Sequence, residues 1–168
     1  MQLQTLNDLF EEQLGDLYSA EKQLIEALPK LAAAATHDEL RKAFEQHLGE
    51  THDHVQRLEE IFGQIGISPP MKTCAAMQGL IREGQELITA QGDPAVRDAG
   101  LIGAAQRVEH YEIAAYGTVR TLADQLGLDD AKDLLDQTLD EESHADKLLT
   151  KIATGGMLKS GINQKAAR

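Results

Sequence analysis

The feature that most constrains this chain is an internal repeat. Shifted by 91 positions, the stretch from Glu21 to Ile61 falls on that from Glu112 to Ile152 without a gap. Glu21 meets Glu112, Leu31 meets Leu122, Asp38 meets Asp129 and Phe44 meets Leu135. Leu48 meets Leu139, Leu58 meets Leu149 and Ile61 meets Ile152. A register kept through two apolar runs and the turn between them describes one supersecondary unit used twice. Within each run the apolar residues recur at the three-to-four spacing of one helix face, so the unit is a helical hairpin.

Taken in order, the first helix spans about residues 5–35, capped by Thr5 or Asn7, with Leu6, Phe10, Leu14, Leu17, Leu24 and Leu28 on one face. Pro29 lies late in this pattern and is expected to kink or break it. Asp38 is suited to cap the second helix, about 38–65, which Gly66-Ile67-Ser68-Pro69-Pro70 ends. A weaker helix, about 74–90, is interrupted by Gly79 and Gly84. Asp93 and Pro94 are the N-cap and first position of a helix over about 94–126. Gly127 turns the chain into the last helix, about 130–154. The fold class is therefore all-α: a four-helix bundle of two hairpins, with a short helix in the long crossover between them. One long connection of this kind is the ferritin-like arrangement. Residues 1–154 form this one domain, and 155–168 are read as a flexible tail.

Composition narrows the functions such a bundle can have. Acids outnumber bases 28 to 16, a net charge of -12, which argues against nucleic acid and anionic membrane surfaces as partners. No apolar run approaches the roughly 18–20 residues of a membrane span. A lone Cys74 leaves no internal disulfide, and the first residues lack the basic and apolar regions of a secretory signal. These features place the protein in the cytoplasm.

The chemistry lies on the inward faces. Glu21, Glu112 and Glu142 fall where leucines fall, on three different helices. A lone carboxylate in an apolar core costs several kcal/mol unless it is neutralised or paired. Three together need shared protons, a shared cation, or a subunit interface that wets them. The second helix adds His47, Glu50, Thr51 and His54 within about two turns. Oxygen-rich sites with an imidazole suit iron or manganese. We therefore take Glu21, Glu50, His54, Glu112 and Glu142 as the candidate metal ligands, holding one or two ions per subunit. His47, Glu109, Glu141, His144 and Asp146 are secondary candidates. His47 is read as supporting a ligand rather than binding metal, and Glu109 as joining the site or pairing with an arginine.

A complete dimetal set takes one glutamate from each of two helices and Glu-x-x-His from each of the other two. Here the central pair on the second helix is Thr51 and His54, and on the fourth Glu142 and Ala145. The literal Glu141-x-x-His144 puts His144 roughly 120° off the apolar face, and Asp146 is the nearest substitute for the ligand that Ala145 cannot supply. One carboxylate is thus displaced and one ligand lost.

Tyr18-Ser19-Ala20-Glu21-Lys22-Gln23-Leu24, His47-Leu48 with Glu50-Thr51, Cys74 to Met77 before Gly79-Leu80, and Val108-Glu109-His110-Tyr111-Glu112-Ile113-Ala114 resemble the bacterial YciF/YciE family over nearly the whole chain. That resemblance implies a ferritin-like bundle with an extra short helix, a homodimer, a link to general stress responses and kinship with rubrerythrin-type dimetal proteins. His54 and His144 are additions of this chain to the family pattern. Three functions follow: a metal-carboxylate oxidoreductase acting on a small oxidant such as peroxide or dioxygen, or on iron; a metal-free dimeric scaffold working through protein contacts; and, ranked last, a storage shell.

Overall fold

The structure is a computed structural model that describes residues 3–156 and 159–167. Four long helices form the bundle: α1 (Leu6–Ala34), α2 (Asp38–Gln64), α4 (Pro94–Leu126) and α5 (Asp129–Thr154). The short α3 (Ala75–Thr89) sits in the crossover, and α6 (Ile162–Ala166) follows a two-residue ladder of β1 (Gly155–Gly156) and β2 (Lys159–Ser160). α1 packs on α2 and α4 on α5, each pair being one copy of the repeat, and the pairs meet through α1 with α4 and α2 with α5. Every long helix runs antiparallel to both of its neighbours. The crossover must therefore travel the length of the bundle, about 40 Å for a helix the size of α2.

Local signals set most of the boundaries. Thr5 caps α1, accepting from the Asp8 amide at 3.1 Å, while the Asp8 carboxylate accepts from the Thr5 amide at 2.9 Å. This reciprocal box satisfies donors that the helix leaves free. Asp93 caps α4 ahead of Pro94, and Gly127 ends it at φ 70°, a left-handed conformation that glycine adopts without a Cβ penalty.

Three boundaries differ from the sequence reading. α1 runs unbroken through Pro29, which is exposed, so the carbonyl deprived of its donor can turn to water. Asp38 is the first residue of α2, not its cap. The cap position belongs to His37, and the free donors there are taken by Asp98 of α4, which accepts from the Thr36 amide at 3.0 Å, the Thr36 hydroxyl at 2.7 Å and the His37 amide at 2.8 Å. α3 is continuous through Gly79 and Gly84; Gly84 is buried and faces Ala104 of α4.

The segment read as a loose tail folds back. Ile162 is buried in the core, α6 packs on α4 and α5, and a Cβ on Gly161 would overlap the backbone of Ala153, Thr154 and Gly155. Such closeness is open only to glycine. Residues 157, 158 and 168 of that tail lie outside the described residues, as do Met1 and Gln2, where the reading of the N-terminus begins.

The core has two apolar clusters. One joins Leu24, Leu28, Leu40, Phe44, Leu101 and their neighbours near α3 and α6; the other joins Phe10, Leu14, Leu58, Phe62, Val119 and Leu135 at the opposite end. Between them lies a buried polar layer.

Candidate metal centre

The polar layer consists of four glutamates and two histidines, one or more from each long helix. Glu21, Glu112, Glu142 and His54 are fully shielded from solvent, and Glu109 and His47 nearly so. Their side chains converge in two groups that share Glu142. His47, Glu109, Glu112 and Glu142 form one, and Glu21, His54 and Glu142 the other; within each group one potential ligand atom per residue lies within 4.8 Å of all the rest. His54 Nδ1 is 3.3 Å from Glu21 Oε1 and 3.0 Å from Glu142 Oε1. His47 Nε2 is 3.6 Å from Glu109 Oε1 and 3.5 Å from Glu142 Oε2.

Each imidazole is held from behind. His47 Nδ1 lies 3.2 Å from Glu50 Oε2, and His54 Nε2 lies 2.9 Å from Glu141 Oε2. Glu50 and Glu141 are themselves 91 positions apart, so the repeat places one outer carboxylate on each side. A carboxylate behind a histidine fixes its ring orientation and raises its basicity toward a metal. Glu141 is clamped in turn by Arg57, whose guanidinium donates at 2.5 and 3.0 Å. The Tyr116 hydroxyl donates to Glu21 Oε1 at 2.5 Å.

What the layer lacks is internal satisfaction. Glu21 Oε2, Glu109 Oε2, both oxygens of Glu112, both of Glu142, His47 Nε2 and His54 Nδ1 are buried without a hydrogen-bond partner. Buried polar atoms are normally paired, and apart from His37 Nδ1 and Arg97 Nε the unpaired ones among the described residues come from this one cluster of oxygen and imidazole donors. That donor set fits a hard or borderline divalent ion.

The electrostatics carry the same imbalance. Burial drives the Glu112 carboxyl well above its usual range, and Glu142, Glu21 and Glu109 push it further. Burial likewise raises Glu109, with His47 opposing only in part, and raises Glu21 against the pull of His54. Burial lowers both histidines, but the surrounding carboxylates outweigh it. Glu109, Glu50 and Glu142 bring His47 to about 10, and Glu142 and Glu21 bring His54 to about 11. Glu142 alone among the central acids is lowered, because the two histidines overcome its burial. Without a cation the layer therefore holds protons.

Of the residues singled out from sequence, Glu21, His54, Glu112 and Glu142 converge in the layer, as do the secondary candidates His47 and Glu109. His47, read as a supporting side chain, faces the cluster through Nε2. Glu109 meets His47 and not an arginine. Glu50 sits behind His47 instead of in either group, and Glu141 behind His54. Thr51, although central to its face, turns its hydroxyl to the His47 carbonyl at 2.8 Å. His144 is exposed and Asp146 half-buried, and neither reaches the cluster; Asp146 accepts from Gln106 Nε2 at 2.9 Å. Both leave the face because one helical residue rotates the side chain by about 100°, which puts the neighbours of Ala145 to either side. Helical spacing turns Tyr116 inward as a hydrogen-bond donor, and the structure supplies its acceptor, Glu21, which spacing alone does not name.

Comparison with known proteins places these features in a family. The model for a domain of unknown function, DUF892, matches residues 5–167. Protein YciF of Escherichia coli (strain K12) is 46% identical over 165 residues, covering 98% of this chain and 99% of that one. The crystal structure of that E. coli stress protein superposes with a TM-score of 0.90 over 94% of this chain and 100% of the other. YcfI, a candidate structural protein from Rhodopseudomonas palustris, is 41% identical with a TM-score of 0.86, over 89% of this chain and 96% of that one. A Dps protein from Bacillus brevis, 18% identical, has a TM-score of 0.66 over 89% of this chain and 97% of its own, which is a likeness of fold and makes the bundle ferritin-like. No helix among the described residues is long and apolar enough to cross a membrane. The chain, matched nearly end to end by the family model and by YciF, belongs to the DUF892 family of YciF-like proteins.

Proposed function

We propose that this protein is a stress-response metalloprotein that binds one or two ions of iron or manganese in the bundle core. The observation that carries this reading is the set of inward oxygen and nitrogen atoms that are buried, unpartnered and arranged as two groups around Glu142. Glu21 and His54 would hold one ion, and His47, Glu109 and Glu112 the other, with a Glu142 oxygen available to each. A redox-active ion there would supply one-electron exchange with a small oxidant such as peroxide or dioxygen. The chain's own part is to orient the imidazoles through Glu50 and Glu141, to hold Glu21 through Tyr116, and to exclude bulk water with the apolar clusters on either side. We further propose that it works as a homodimer in the cytoplasm.

The test is metal content. Protein grown with iron and manganese and purified without chelator should carry about one or two ions per subunit by mass spectrometry. Glu142→Gln, which withdraws the shared ligand, should carry none. Equal content in the two proteins would overturn the site.

A second reading, a metal-free scaffold acting through protein contacts, has its own support. The surrounding carboxylates push the two histidines up to about 10 and about 11, so at neutral pH they supply two positive charges to the layer without any ion. That reading expects the melting temperature to be unmoved by iron, manganese or chelator.

A further inference from the structure

The two halves of the polar layer differ in how they meet the outside. Behind His54, Glu141 is clamped by Arg57, and the same guanidinium donates to Thr138 at 3.0 Å. The side formed by α1 and α4 is covered by α3, with Cys74, the cap of α3, and Tyr111 of α4 touching at 3.0 Å. Between α2 and α5, beside His47, the wall is open. A cleft of about 10 Å³ there is lined by His47, Glu50, Glu109, His144, Ala145 and Ala43, among others. That is roughly the room of a single water molecule.

The cleft is graded. At its mouth stand the exposed His144 and the half-buried Glu50; at its floor stand His47 Nε2 and Glu109 Oε2, both buried and without a hydrogen-bond partner. Alanines at 43 and 145 leave the gap between the helices. The repeat explains one of them: position 145 corresponds to His54 in the first hairpin, so the absence of a histidine there is what opens the wall. We propose that this cleft is the route by which a divalent cation reaches the core, with Glu50 and His144 as transit ligands that replace part of its water shell before His47 and Glu109 take it. The inference rests on the metal-binding reading above. It adds a second role for Glu50 beside the orienting of His47, gives one to His144, which stands outside both convergent groups, and gives Ala145 a function as a gap.

The experiment follows cobalt(II) binding by stopped-flow absorbance, with equilibrium titration of the same samples. His144→Ala is on the surface and leaves every residue of the convergent groups in place. It should slow uptake by about tenfold, the low end of what a favourably lined cleft adds to an on-rate, at unchanged stoichiometry and melting temperature. Ala145→Leu fills the gap and should slow uptake further, by about tenfold or more. His110→Ala, altering a histidine on the outer side of α4 near Asp146, should leave the rate as in the wild type. Equal rates in wild type, His144→Ala and Ala145→Leu overturn the route while leaving the metal site standing. Absence of cobalt from the wild type overturns the metal-binding reading itself, and the route with it.

Discussion

The two hairpins are copies in backbone but not in chemistry, and the differences fall at the polar layer. Glu21 and Glu112 match, as do Glu50 and Glu141, so each copy keeps one central glutamate and one outer carboxylate. His54 and Glu142, by contrast, face Ala145 and Thr51 in the other copy, and His47 faces Thr138. The first hairpin thus supplies both imidazoles and the second supplies three of the four central acids. A symmetric scaffold has become an asymmetric pair of side-chain groups, one closed behind an arginine and the other beside an open cleft. Twofold packing fixes where side chains can converge; it does not fix which chemistry arrives there.

The largest effect should come from the residue that breaks both sites together. Glu142→Gln removes the negative charge that the two groups share and puts an amide nitrogen, which cannot bind a cation, in place of one of the two oxygens, so metal should be lost entirely. Glu112→Leu, in contrast, touches only the group with His47. Metal content should fall by about one ion per subunit, with the position at Glu21 and His54 still filled. The metal-free form of that variant should be more stable by about 1–3 kcal/mol, because an unpartnered buried carboxyl is replaced by an apolar side chain of similar size. Chemical denaturation of the chelated proteins checks the second claim, and a stability loss there would mean that Glu112 has a partner in the folded protein.

Stability against pH sharpens the contrast between loaded and metal-free protein. The raised carboxyls of Glu21, Glu109 and Glu112 keep protons in the folded state that the unfolded chain releases above about pH 4.5. The histidines, raised from 6.5 to about 10 and about 11, contribute stability that is complete below pH 6.5 and lost as pH climbs through those values. In both cases the folded state binds more protons, so stability falls with rising pH. Glu142 works in the opposite sense, its contribution present above pH 4.5 and lost on acidification. Metal-free protein should therefore be most stable near pH 5 and weaken steadily toward pH 10. Added metal displaces those protons, so the gap in melting temperature between loaded and chelated samples should widen over the same interval. A gap that narrows as pH rises would contradict the proton-for-metal exchange.

How far the site was legible follows from the kind of signal each residue gives. Glu21, Glu112 and Glu142 sit among leucines at helical spacing, and periodicity alone turns them inward. His54 shares that face, and His47, seven residues earlier, returns to it after two turns. What periodicity cannot give is depth and rotamer: whether His47 presents a nitrogen to the cluster or only packs beside it is settled by Glu109 and Glu142 on other helices. Glu-x-x-His at 141–144 misleads because the motif is a spacing, and its rotation about the helix axis carries His144 to the surface. The Asp98 clasp at the start of α2 and the return of α6 rest on contacts about 60 residues apart or on a close backbone approach, neither of which leaves a local pattern. The equivalence of Glu50 and Glu141 was available in the repeat, at the positions just before Thr51 and Glu142.

That equivalence gives the smallest and most discriminating difference between the two hairpins. Glu50→Gln and Glu141→Gln should each weaken metal binding by about 10- to 100-fold, the usual cost of losing the group that orients a ligating histidine. Their effects on the fold should differ. Glu50 is part-exposed and is bonded, besides His47, to the neighbouring Gln46, so its loss should leave the melting temperature nearly unchanged. Glu141 receives both arms of Arg57 and also backs the fully buried His54. Its replacement leaves a largely shielded guanidinium half-paired, and the metal-free protein should lose about 1–3 kcal/mol. Parallel denaturation curves for the two chelated variants decide the matter. Equal stability losses would mean that the arginine clamp contributes nothing beyond its hydrogen bonds to solvent, and that the closed and open sides of the layer are closed and open by shape alone.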